Sequence, residues 1–393
     1  MKKLIAVSAV AALAATALSA EITFGSWGRA LWVTAANGGY TEKDADGKES
    51  FKSEIVTDVH QSWGGDAPRN GLSVRGDSDN VGFHLDIGAN GNEAWLPGDN
   101  CNIWVKPIDI VKVTVGRIDE NVLRGDCVNG LWNWDRIGCV GGDEGWTFED
   151  YLDAEGNGVS IVATPAEGLT LGAGVPLFLK DGEPVAKDNK HTLAGAWSKG
   201  AAYVGAYNIE GVGTVKAALK TLPKTDDDKS HVGIGAAFDL TSVENLFVSV
   251  GAKIDTAEKT AKVVNAYARY GVNEQLTVHA RVGTQIGKNY KNKDGEAKEG
   301  GFGFLAGAGV DYALDGGIGL FADVRYANGI YNKGSEADKS DNLTLGAGVT
   351  KGFSNGVIGV AFEGSTNNGG RYQTNEKSDG FSWEIPVRFE YWF

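Results

Sequence analysis

The sequence predicts an all-β fold: a transmembrane, antiparallel, up-and-down β-barrel of about 18 strands (16–20). Three observations predict it. The chain ends on FSWEIPVRFEYWF, with an apolar residue at every second position. Its connections alternate between tight and long. Its only long apolar stretch is at the N-terminus.

The C-terminal stretch states the pattern most plainly. Phe381, Trp383, Ile385, Val387, Phe389, Tyr391 and Phe393 share one phase, and Ser382, Glu384, Pro386, Arg388, Glu390 and Trp392 fill the other. Period two means a strand with one apolar and one mostly polar face. A free terminus frays unless it is tied down, so this stripe calls for an apolar cover: a core, a partner or lipid. Pro386 sits inside that strand, where proline cannot donate to the ladder. A bulge or a missing hydrogen bond is expected there.

Residues 1–20, MKKLIAVSAVAALAATALSA, have a basic start, an apolar middle and a small-residue exit. They are expected to be a secretory signal peptide cleaved near Ala20–Glu21, with the exit after Ser19 as the alternative. A membrane anchor is the competing reading, but the segment is Ala-rich and short for a span of about 20 strongly apolar residues. N-terminal sequencing of outer-membrane material is expected to start near Glu21; a start at Met1 would refute cleavage. No apolar run downstream nears the length of a spanning helix. Residues 21–393 are therefore either soluble and exported, or a membrane barrel, whose alternating strands escape hydropathy.

Composition favours the barrel. Glycine makes up 57 of 393 residues and there are 11 tryptophans. Losing the first 20 residues would remove two lysines and no acid, moving the net charge from −14 to −16. That acidity excludes a nucleic-acid partner. No Pro- or Ser-rich linker interrupts the chain, so residues 21–393 read as one domain.

The connections sort by parity. Eight are tight: GDSDN (76–80), KPID (106–109), PAEG (165–168), EGVG (210–213), SVEN (242–245), VNEQ (272–275), LDGG (314–317) and SNG (354–356). Each has turn chemistry. Nine are longer, near 36–68, 90–100, 119–157, 177–199, 222–230, 256–261, 288–300, 331–341 and 366–379. Nine and eight connections join 18 strands, an even number. Short turns on one rim and long loops on the other are the habit of outer-membrane barrels.

The phase assigns faces. Val81, Phe83, Leu85 and Ile87 are expected to meet lipid, as are Leu276, Val278, Ala280 and Val282, and Ile318, Leu320, Ala322, Val324 and Tyr326. The opposite phase carries charge of both signs, and those side chains are the pore-lining candidates: Arg29, Arg75, His84, Asp86, Lys112, Lys216, Asp239, Arg269, His279, Arg281, Asp311, Asp323, Arg325, Glu363, Arg388 and Glu390. A cation on the lipid face costs about 2–4 kcal/mol at midplane, so these side chains should face a wet lumen. Taken singly, any of them also reads as a solvated or salt-bridged wall residue.

The stretches SWGGDAPRNGLSVRGDSDNVGF (62–83), IWVKPIDIVKVTVGRI (103–118), DYALDGGIGLFADVRYANGIY (311–331), GVTKGFSNGVIGVAFEG (348–364) and the final strand carry a resemblance. The chain resembles spirochaetal (treponemal-type) outer-membrane barrel proteins. The resemblance implies a porin-like protein of the cell outer membrane. Its partners would be outer-membrane lipid, the outer-membrane assembly machinery and small hydrophilic solutes, with a homo-oligomer left open. Phe393, with Tyr391 and Phe389 behind it, looks like the terminal signal read by that machinery.

Catalytic signatures are missing. There is no G-x-S-x-G, H-E-x-x-H or Walker motif. GFGFLAG (301–307) and GAGVTKG (346–352) lie within strands rather than before helices. KDADGKE (43–49) has an incomplete calcium-loop spacing and otherwise reads as a solvated loop. His60, His84, His191, His231 and His279 show no ligand spacing, and neither a metal nor another cofactor is expected. A Ser–His–acid cluster assembled on one wall stays open.

The longest connection, 119–157, is the candidate constriction loop. Its candidate residues are Arg124, Asp126, Trp132, Trp134, Asp135, Arg136, Asp143, Glu144, Trp146 and Tyr151; Glu149, Asp150, Asp153 and Glu155 add further acid. The position at which general porins commonly fold a loop inward suggests that it narrows the pore; an outward surface loop is the alternative. Inward acid would favour cations. Cys127 and Cys139 share this loop and read as a disulfide in an oxidising exterior. Closing it would contribute about 3 kcal/mol in the chain-entropy account. Cys101 is the odd cysteine, free or a competing partner.

Three functional readings follow. The first is a porin passing small hydrophilic solutes, with some cation preference. The second is a substrate-selective, sugar-type channel, on the strength of Trp132, Trp134, Trp146 and Tyr151. The third is a surface structural protein or adhesin.

Overall fold

The computed structural model describes residues 21–60, 68–90, 96–118, 154–176, 201–222, 231–256, 262–291, 296–333, 341–366 and 381–393. The first half of the wall comprises β1 (Glu21–Lys43), β2 (Glu49–His60), β3 (Arg69–Asp77), β4 (Val81–Asn90), β5 (Leu96–Ile108), β6 (Val111–Ile118), β7 (Ala154–Ala166), β8 (Leu169–Pro176), β9 (Ala202–Ile209) and β10 (Gly213–Leu222). The second half comprises β11 (His231–Leu240), β12 (Leu246–Asp255), β13 (Lys262–Gly271), β14 (Leu276–Lys291), β15 (Ala297–Leu314), β16 (Ile318–Ala327), β17 (Asn342–Phe353), β18 (Gly356–Ser365) and β19 (Ser382–Trp392). One five-residue helix, α1 (Gly329–Lys333), follows β16.

From β3 onward every strand pairs antiparallel with the next, and β19 pairs back onto β1. The sheet is closed, so it presents no edge to lipid. Among the described residues, nineteen strands occupy 18 positions. β3 pairs with β1 over Glu21–Arg29, and β2 pairs along the same edge of β1 over Leu31–Lys43. β2 and β3 are thus two consecutive stretches of one wall position, which reconciles the strand count with the even number a closed antiparallel barrel needs.

All eight expected tight turns are present between the paired strands. Side chains make several of them: Asn273 Oδ1 accepts the N–H of Gln275 and of Leu276, and Ser78 Oγ donates to the Val81 carbonyl. The long connections are shorter than the sequence suggests. The one expected at 36–68 is largely a β1–β2 hairpin, and β5, β7 and β15 begin at Leu96, Ala154 and Ala297, inside the loops expected at 90–100, 119–157 and 288–300. Glu155 therefore belongs to β7. Backbone pairing continues past the membrane-height wall because each additional residue pair satisfies one more N–H and C=O.

KDADGKE contains the turn of the projecting hairpin, where Asp44 Oδ1 accepts the N–H of Asp46 and of Lys48. Residues 1–20 lie outside the described residues.

The irregularity expected at Pro386 shows on both sides of β19. The β18–β19 ladder skips Pro386 and Ile385, between Val360–Val387 and Glu363–Glu384, with its register kept. On the other side Val33 pairs with Pro386, and the register of β1 shifts between Val33 and Ala35. Side-chain bonds gather at the shift: Thr34 Oγ1 donates to the Ile385 carbonyl at 2.8 Å, and on the far edge of β1 Thr57 Oγ1 donates to the Val33 carbonyl at 2.7 Å. A β-bulge of this kind leaves one residue out of the ladder.

The two phases differ as a membrane demands. Phe24, Ile103, Val282 and Val324 are exposed on the apolar phase, whereas Asp239, Arg281, Asp323 and Glu363 are buried on the other. Apolar side chains that stay exposed on a closed sheet mark its outer, lipid-facing surface. An arginine in place of Val282 is expected to destabilise the barrel by about 2–4 kcal/mol in lipid vesicles. Urea titration in vesicles measures it; no loss of stability would move Val282 off the lipid face.

Candidate channel lumen

The candidate site is the inner face of the wall. Register places it. Lys112–Thr114–Gly116 oppose Val162–Ser160–Gly158 across β6–β7, and Arg269, Tyr267 and Asn265 oppose His279, Arg281 and Gly283 across β13–β14. Followed around the barrel, the ladders put all sixteen charged or histidine candidates on this one phase.

These side chains form distinct groups. At the seam of first and last strands, Arg29 Nη2 lies 2.9 Å from Glu390 Oε1, and Arg388 binds the other oxygen of the same carboxylate. On β3–β5, His84 Nε2 lies 2.8 Å from Asp86 Oδ1 and 3.1 Å from Arg75 Nε, while Asn100 Nδ2 donates to Asp86 Oδ2. A proton on Nε2 favours Asp86; a bare nitrogen accepts from Arg75.

Ser73 Oγ also approaches His84 Nε2, at 3.0 Å. Serine and carboxylate thus crowd one imidazole nitrogen. A nucleophile relay needs them on opposite nitrogens, so this Ser–His–acid cluster lacks that geometry.

Further round the wall, Lys112 lies over the Trp104 ring, 5.7 Å from its centroid, in a cation–π contact. Lys216 and Asp239 form an ion pair, and Ser249 Oγ donates to Asp239 Oδ1 at 2.6 Å. Arg269 lies over Phe247 at 5.8 Å. His279, with its side chain fully buried, sits 3.3 Å from Asp323 and 3.6 Å from Asp311. Gly309, opposite both His279 and Asp323, leaves the room: a Cβ there would come within 2.6 Å of His279 Nε2. Arg281 opposes Tyr267, Arg325 opposes Thr344, and Glu363 opposes Glu384.

Partnering of this kind offsets the cost of drawing charge away from bulk water. It also leaves a face of mixed sign.

The constriction-loop candidates Arg124, Asp126, Trp132, Trp134, Asp135, Arg136, Asp143, Glu144, Trp146 and Tyr151, and the cysteines Cys127 and Cys139, lie outside the described residues. Cys101 is free and exposed. Phe389, Tyr391 and Phe393 stand on the outer phase. The Tyr391 ring crosses bare Gly28, its hydroxyl is 3.2 Å from Ser26 Oγ, and the Tyr391 and Phe393 rings are 5.4 Å apart.

Several inner residues went unflagged by sequence. Asn100, Asn102, Lys253, Asn265, Gln285 and Glu384 are buried polar groups on the inner phase. Their signal was available in the alternation of the flagged neighbours. Helix α1 carried no periodic signal, being little more than one turn long.

Residues 228–356, a third of the chain, match the family model described as the OmpA-like transmembrane domain. No curated protein matches the chain. Among solved structures, the chain is similar to the anion-selective porin from Comamonas acidovorans, with a TM-score of 0.44 and 13% identity over 95% of this chain and 100% of that one. It is similar to a triple mutant of the Rhodopseudomonas blastica porin, with a TM-score of 0.45 and 13% identity over 95% and 100%. A structure described as "Asymmetric conductivity of engineered proteins" gives 0.48 and 15% over 94% and 100%. With a closed antiparallel wall, an apolar exterior and a charged interior, the chain is an antiparallel β-barrel with the two-faced wall of a transmembrane barrel.

Proposed function

We propose that this protein is an outer-membrane porin through which small hydrophilic solutes diffuse passively. One observation carries the reading: a closed 18-position wall has an apolar outer phase and an inner phase bearing charges of both signs. Barrels of 16–18 strands leave an aqueous channel. The sixteen inner-phase candidates then line the lumen.

The wall mixes arginines and lysines with carboxylates, so it gives little selectivity on its own. Cation preference would come from the acid excess of 119–157, folded inward as a constriction and stiffened by a Cys127–Cys139 bridge. The signal peptide and the treponemal-type resemblance complete the proposal and rest on the sequence stretches already named; the proposal leaves a homo-oligomer open.

Planar-bilayer recording tests it. Ohmic single-channel steps are expected, with a reversal potential in a salt gradient that favours cations. Deleting 125–152 should raise conductance and weaken that preference. No steps would sink the porin reading; unchanged conductance and preference after deletion would remove the loop from the constriction.

A further inference from the structure

The connection between β16 and β17 turns into the barrel. Asn328 continues the β16–β15 pairing by one residue, with its N–H on the Phe304 carbonyl at 2.9 Å. Its side chain then reverses the chain: Oδ1 accepts the N–H of Phe304 at 2.9 Å and of Tyr331 at 3.0 Å, and Nδ2 donates to the Phe302 carbonyl. The two ends of the connection are tied together. Asp341 Oδ1 accepts the Gly329 N–H at 3.0 Å, and Asp341 Oδ2 accepts the Tyr326 hydroxyl at 2.9 Å.

Between these ties, α1 lies against β14 and β15. Tyr331 is buried with Leu305 and Ala327. Those two residues are register partners on the inner phase, next to Gly283. The helix therefore rests on the inside of the wall, at the rim of the long connections.

The wall beneath it is bare where the helix needs room. A Cβ at Gly303 would lie 3.1 Å from both N and Cα of Tyr331, and one at Gly283 would lie 3.0 Å from the Tyr331 hydroxyl oxygen. Neither glycine has a left-handed backbone, so conformation does not explain glycine there; crowding does, from Tyr331 together with Asn265 Oδ1 at 2.7 Å over Gly283 and Gln285 Cβ at 3.1 Å over Gly303. Gln285, 4% exposed, borders the same seat.

We infer that α1, seated by Tyr331 on Gly283 and Gly303, narrows the lumen at the long-loop mouth and sets the size limit for solutes. The inference rests on the porin reading and adds a constriction built from a connection other than 119–157. A helix with side chains is about 10 Å across, a large share of the opening of an 18-stranded barrel. Size selection then depends on one aromatic anchor and two bare wall positions.

Two measurements test it. First, hydrogen exchange of the refolded parent is expected to find the Tyr331 amide, which donates to Asn328 Oδ1 at 3.0 Å, protected, and the same amide in Tyr331→Ala is expected to lose that protection. This arm needs no conduction.

Second, Tyr331→Ala and Gly303→Val are recorded in planar bilayers, with barrel formation checked by circular dichroism and heat-dependent gel migration. Conductance is expected to rise by about 1.5-fold or more in both. Vesicle swelling should admit larger neutral sugars. The two variants undock the helix by opposite means, removal of the anchor and filling of the seat, so loss of folding in one leaves the other. An unprotected Tyr331 amide in the parent, or equal protection in Tyr331→Ala, overturns the inference. So does a conducting parent whose variants keep its conductance and sugar limit. No conductance from the parent would overturn the porin reading, and the constriction with it.

Discussion

Replacing Gly116 with alanine is expected to cost the barrel about 2–3 kcal/mol. Gly116 has φ +130, in the region that favours glycine, and a Cβ there would lie 2.3 Å from the Cys101 carbonyl oxygen and 2.8 Å from Asn102 Cα. Both are backbone atoms, so no side-chain rotation relieves the contact. The position also has a structural task. The register between β6 and β7 shifts between Gly116 and Ile118, at the point where the chain leaves the wall toward the longest connection.

A side chain at 116 should therefore disturb both the β5–β6 ladder and the departure of that connection. Gly88 is the control: it sits on the same inner phase, has no left-handed backbone, and its nearest new contact would be an ordinary 3.7 Å. Urea unfolding in lipid vesicles should separate the two substitutions by well over 1 kcal/mol. Equal stabilities would mean that the shift at Gly116 is dispensable.

Replacing Phe393 with aspartate is expected to act on assembly far more than on the finished barrel. The backbone of Phe393 is stapled to β1: its N–H donates to the Ser26 carbonyl at 2.7 Å, and its own oxygen accepts the Ser26 N–H at 3.2 Å. Aspartate can make both bonds. The ring is 74% exposed, and its contact with Tyr391 contributes about 0.5–1.5 kcal/mol. Phe393 and Glu21 both lie at the short-turn rim, where a charge on the outer face costs only about 0–1 kcal/mol.

The summed loss of about 1–2 kcal/mol is modest for a closed barrel. If assembly machinery reads the terminal aromatic, outer-membrane levels should nevertheless fall severalfold, while protein refolded in vitro conducts normally. Normal outer-membrane levels of Phe393→Asp would refute the signal role. Parallel losses in both settings would assign Phe393 to stability instead.

Alternation, turn chemistry and loop parity are local properties, and the sequence determined everything that depends on them. The eight turns, the outer stripe through Val278, Ala280 and Val282, and the single phase shared by the charged candidates follow from period two. That period leaves each side chain only two directions. Even the disturbance at Pro386 was legible, because a missing N–H is a property of the residue.

Tertiary structure alone decided what depends on register and closure. The extra residue falls on β1 at Thr34, while β19 keeps its register and only skips ladder pairs at Pro386 and Ile385. β2 and β3 share one wall position because both find the same free edge of β1. His279 lies between Asp311 and Asp323 only because three strands meet in one register across bare Gly309. Helix α1 lies inside because Gly283 and Gly303 leave a seat, far away in sequence, that Tyr331 fills. A single sequence states which residues can face inward; which of them touch is set by long-range pairing, and that is fixed only when the last strand closes on the first.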